Sequence, residues 1–134
     1  MSCCARPAQQ RSLRVSFHMT QDLIMRHERA MMLAHGARSA AGEDFDPKAV
    51  VKLFTPDGAC TWLLSELDPE DPDIAFGLCD LGMGFPELGS VRISELQSVR
   101  GALGLPIERD FSFAPNRTLS QYADAAIKAG AIRV

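Results

Sequence analysis

Two stretches with strand-like alternation, Ala59 to Leu67 and Ile74 to Asp80, are separated only by Asp68-Pro69-Glu70-Asp71-Pro72-Asp73. The two prolines oppose regular ladder pairing and the acids favour water, so this spacer predicts an exposed loop joining two strands of one sheet. Side chains alternate across a strand, which sets Cys60, Trp62 and Leu64 against Thr61, Leu63 and Ser65 in the first stretch. In the second, Ile74, Phe76 and Leu78 face away from Ala75, Gly77 and Cys79, a small face suited to close helix packing. The expected core is Leu53, Trp62, Leu64, Phe76 and Leu78.

The flanks extend this frame. Val50 to Phe54 reads as a strand, and Thr55-Pro56-Asp57-Gly58 turns it into the next one as a hairpin. Upstream, Thr20 is placed as the N-cap of a helix with Leu23, Ile24, His27, Met31 and Ala34 on one face and Gly36 at its end. Downstream, Gly82, Gly84, Pro86 and Gly89 interrupt the chain before a short strand from Ser90 to Ile93. Ser94 with Gln97 has the form of a capping box for a short helix carrying Leu96 and Val99. A strand is expected from Ile107 to Phe113. Thr118 with Gln121 then opens a closing helix with Leu119, Tyr122, Ala123, Ala126 and Ile127 on its apolar side and Gly130 at its end. This order predicts an α+β fold: an antiparallel-rich sheet of four to five strands with an N-terminal helix, a short helix and a C-terminal helix.

The 134 residues suit one domain, expected over residues 19–134 behind a loose tail, residues 1–18, with Met19 as an alternative start. Apolar residues at 46% and charged residues at 23% are far from the composition of disordered chains. The tail holds Arg6, Arg11 and Arg14 and no acid, so removing these three positive charges from the net −3 leaves −6 for the remainder. An acidic body repels phosphate backbones, which argues against direct nucleic-acid binding and for a protein partner. No apolar run is long enough to span a bilayer or serve as a signal peptide, so a cytoplasmic location is expected.

Few residues suggest chemistry. The cysteines form no CxxC pair or zinc spacing, and Cys60 and Cys79 lie in apolar stretches where cysteine packs as a small hydrophobe. His18, His27 and His35 make no HExxH pattern, and no Gly-x-Ser-x-Gly elbow occurs. The acids Glu66, Asp68, Glu70, Asp71, Asp73 and Asp80 would hold a hard cation only if the fold gathered them, and the EF-hand spacing is absent. Between Gly82 and Gly89 the third glycine of a phosphate loop is replaced by Glu87 and Pro86 lacks an amide donor, so a bend displaying Met83, Phe85 and Leu88 is the better reading.

Val50-Val51-Lys52-Leu53-Phe54-Thr55-Pro56-Asp57, Thr61-Trp62-Leu63-Leu64, Glu66 to Asp73 and Ala75-Phe76-Gly77-Leu78-Cys79-Asp80-Leu81-Gly82 together resemble one bacterial family, the domain of unknown function numbered 2958. The likeness continues through Gly84 to Gly89, Ser94-Glu95-Leu96 and Gly104-Leu105-Pro106, covering the chain from about Met19. It implies a small accessory protein of plasmids and other mobile elements, and brings no catalytic residues with it. The expectation is a non-enzymatic interaction module without cofactor, using Asp68, Glu70, Asp71, Asp73, Met83, Phe85 and Glu87. The alternative is a divalent-metal enzyme acting on nucleic acid through Glu66, Asp68 and Asp80.

Overall fold

The computed structural model describes residues 22–134; the tail, Met19 and the expected cap at Thr20 lie outside them. Eight elements follow in order: α1 (Arg26–Ala40), β1 (Val51–Phe54), β2 (Thr61–Asp68), β3 (Asp71–Asp80), β4 (Glu87–Arg92), α2 (Ile93–Ser98), β5 (Glu108–Arg109) and α3 (Leu119–Ala129). The strands form one antiparallel sheet in the order β4-β3-β2-β1-β5, confirming the α+β architecture.

The alternation in β2 and β3 becomes two cores. On one face Trp62, Leu64, Leu53, Ala75 and Cys79 pack with Met32 of α1 and with Leu96 of α2. On the other, Leu63 and Leu78 pack with Leu119, Tyr122, Ala123 and Ala126 of α3, and Phe76 joins them half-buried. Helices therefore cover both faces, and Leu63 and Ser65 on the mixed face of β2 are both fully buried, with Thr61 partly so.

Helix α1 differs most from expectation. It starts at Arg26 and runs through Gly36 to Ala40 instead of stopping there. Leu23 and Ile24 are buried from the segment before the helix, while His27, Met31 and Ala34 are exposed and Glu28, Met32 and Gly36 face inward. Gly36 is where α1 crosses β2: a Cβ there would lie 1.8 Å from the Leu67 carbonyl oxygen, so only glycine lets the backbones approach. The inward Glu28 receives the Met25 N–H at 2.8 Å and two Arg109 donors at 2.6 Å each, tying the helix start to edge strand β5. Burial opposes ionisation of Glu28, but the Arg109 fork and the Met25 N–H outweigh it and hold its carboxyl below the ordinary value.

Two strand boundaries shift as well. β4 begins at Glu87, earlier than the expected Ser90, and the strand expected from Ile107 to Phe113 shrinks to Glu108–Arg109. The chain leaves the ladder at Asp110, whose carboxylate takes the Ser112 N–H and hydroxyl in a local turn. The closing helix follows the expected chemistry, with Thr118 and Gln121 forming a reciprocal capping box and Gly130 ending it at φ 78°.

Candidate functional site

The expected acidic loop is a tight hairpin. β2 and β3 are joined by Pro69 and Glu70 alone, and Asp68 Oδ1 accepts the Glu70 N–H at 2.9 Å. Beyond the Asp68–Asp71 pair the register jumps to Leu67–Ala75, so Pro72, Asp73 and Ile74 bulge from the β2 ladder. Pro72 sits in that bulge, where its missing N–H breaks no bond, which is how β3 begins before the second proline and not after it.

The acids here are used by the fold. Arg92, the last residue of β4, reaches both Asp71 and Asp73 at 3.3 Å. Asp73 also accepts the Ser94 N–H at 3.0 Å and its hydroxyl at 2.7 Å, capping α2 from across the sheet. Burial works against the charge on Asp73, but the Ser94 and Arg92 hydrogen bonds prevail and lower its carboxyl below the usual range. The expected Ser94–Gln97 capping box is thereby replaced: α2 starts at Ile93, with Arg92 in the N-cap position. Asp68 and Glu70 remain exposed, and Glu66 takes the Ser39 hydroxyl of α1 at 3.0 Å.

Asp80 lies at the other end of β3, opposite Thr61 as Asp71 is opposite Asp68, a separation of roughly 20 Å at ordinary strand rise once the bulge is discounted. It is buried and accepts the Gly82 N–H at 2.8 Å and the Ile132 N–H at 2.9 Å. Glu66 and Asp68 therefore do not converge with it, and among the described residues no group of three or more His, Cys, Asp or Glu is placed to hold a metal ion.

From Asp80 the chain enters the glycine-rich bend. Gly82 and Gly84 adopt φ 80° and 87°, left-handed conformations that favour glycine. Gly82 is further constrained because a Cβ would meet the Ala59 side chain at 2.8 Å. Between and beyond them Met83 is 70% exposed, Phe85 81% and Leu88 46%, while Pro86 is buried. Glu87 opens β4 opposite Cys79 and is exposed. α3 adds Ile127, expected on the apolar side of that helix and 60% exposed, one turn before the Gly130 that sits near the Gly84 carbonyl.

The seven residues expected to act together thus divide into two places. Asp68, Glu70, Asp71 and Asp73 stand at one end of β3; Met83, Phe85 and Glu87 follow its other end. The clamp by Arg92 was not read from the sequence. An arginine immediately before the short helix, with a surplus of acids upstream, is the signal that would have suggested it.

The profile of the family described as "Protein of unknown function (DUF2958)" matches residues 23–133, and the chain belongs to that family. No curated protein and no solved structure gives a significant match. Among the described residues no helix is long and apolar enough to cross a membrane.

Proposed function

We propose that this DUF2958 protein is a non-enzymatic interaction module, a cytoplasmic accessory protein of a bacterial mobile element, which holds a protein partner through the bend between Gly82 and Gly89. The observation that carries the reading is the exposure of Met83 and Phe85, 70% and 81%, on either side of Gly84 in a bend where Gly82 and Gly84 take left-handed conformations. Covering one such side chain is worth about 1.5–3 kcal/mol, and a methionine beside an aromatic ring adapts to varied partner surfaces. The bend also leads into β4, an edge strand of the sheet formed by the described residues, and edge strands are places where a partner strand can pair.

The acidic hairpin has a lesser part in this proposal. Asp71 and Asp73 are engaged by Arg92 and Ser94, which leaves Asp68 and Glu70 as a charged rim for basic groups of the partner. The rival reading, a metal-dependent enzyme acting on nucleic acid through Glu66, Asp68 and Asp80, has no specific observation in its favour.

A photo-reactive residue placed at position 85, and separately at position 70, tests the proposal in a bacterial host. A discrete adduct from position 85 that disappears with Met83→Ser is the expected result. Adducts from position 70 alone, or from neither, would remove the bend from the account.

A further inference from the structure

A cavity of about 420 Å³ lies between the turn after β5, the start of α3 and residues 133 and 134. Its walls include Phe113, Asn116, Arg117, Tyr122 and Arg133. This volume falls in the range of small-molecule sites, which run from about 300 to 1,000 Å³.

The charged side chains of the walls are unevenly engaged. The one side-chain carboxylate in the walls is already engaged: Asp110 receives the Ser112 hydroxyl at 2.7 Å, the Ser112 N–H at 2.9 Å and the Lys52 ammonium at 3.2 Å. The Val134 carbonyl accepts from the same Lys52 at 2.9 Å, and Asn116 Oδ1 accepts the Tyr122 hydroxyl at 3.2 Å. Three side-chain donor groups are spare. Arg117 and Arg133 form no ion pair among the described residues, and the Asn116 side-chain NH₂ donates to none of them. Arg117 stands 6.0 Å from the centre of the Tyr122 ring, and Phe113 meets the same ring at 6.0 Å and a 48° tilt, so the donors border an aromatic surface.

We propose that this cavity binds a small anion with a flat apolar body, an aromatic carboxylate or aromatic phosphate ester. Arg117 and Arg133 clasp the anionic head, Asn116 adds a neutral donor, and Phe113 with Tyr122 takes the ring. Two guanidinium forks without carboxylate partners suit a charge of this kind, since planar bidentate donors match both head groups. The wall carboxylate that would attract a cation, Asp110, is already paired with Lys52.

The full chain, labelled with nitrogen-15, is titrated with phenyl phosphate, benzoate and benzamidine while amide resonances are followed. Saturable shifts confined to residues 110–117 and 133 with one or both anions, and none with benzamidine, are expected; which anion binds more tightly identifies the head group. Arg117 and Arg133 are exposed, so the double variant Arg117→Gln/Arg133→Gln retains its fold, checked by an unchanged urea midpoint, and weakens binding by about tenfold. Absence of saturation at millimolar anion, equal response to benzamidine, or unchanged affinity in the double variant would each overturn the proposal.

Discussion

At its start, strand β3 carries acids bound by Arg92 and by the first turn of α2; past its end, the chain enters a bend where Met83 and Phe85 face water. The hairpin end is charged and looks in sequence like a surface made for partners, yet half of its carboxylates are holding neighbouring elements in place. The bend is apolar and resembles a piece of core, yet its largest side chains are unburied. Residue type alone is therefore a poor guide to which end is spare: what matters is whether another element stands opposite. Arg92 and α2 stand opposite Asp71 and Asp73, and no described element covers Phe85.

Variants between and around the two ends sharpen this contrast. The largest effect is expected away from both, at the buried Glu28–Arg109 pair, where Arg109→Met strands a carboxylate and costs about 3 kcal/mol in urea unfolding. Next, Gly36→Ala drives a methyl into the Leu67 carbonyl at the root of the hairpin and costs about 2 kcal/mol, measured by the same transition. Asp73→Ala, at the hairpin itself, removes the α2 cap and is expected to cost about 1 kcal/mol. A neutral outcome there would return the acids to the solvent and break the comparison.

The pH dependence follows from the same groups. Glu28 and Asp73 both have carboxyls held below their ordinary values, so the unfolded chain binds more protons in acid. Their stabilisation is present above the unfolded pKa values, near 4, and is lost as pH falls through the lower folded values. Asp73→Asn is expected to make the urea midpoint less steep with pH below about 4 and to leave its slope unchanged near neutrality.

Much of the sheet was legible because it rests on local rules. The alternation of β2 and β3, the Thr55 to Gly58 turn, and the Thr118–Gln121 box with Gly130 all depend on residues near in sequence. The failures depend on distant partners. Gly36 reads as a helix stop unless the Leu67 carbonyl is known to lie against it, and Pro72 reads as a strand breaker unless the bulge is known. Ser94 likewise reads as a cap until Asp73 takes that role from 21 residues away. The candidate site was legible in part: Met83 and Phe85 were placed on a displayed bend, whereas the separation of that bend from the acids followed only from the ten-residue length of β3.

The most direct test compares the two ends in one experiment, urea unfolding of Asp73→Ala and Phe85→Ser side by side. The hairpin variant is expected to lose about 1 kcal/mol and the bend variant to stay within about 0.5 kcal/mol of the parent. A loss at Phe85→Ser equal to or greater than that at Asp73→Ala would show that the bend serves the fold, contradicting the claim that its apolar side chains are held in reserve for a partner.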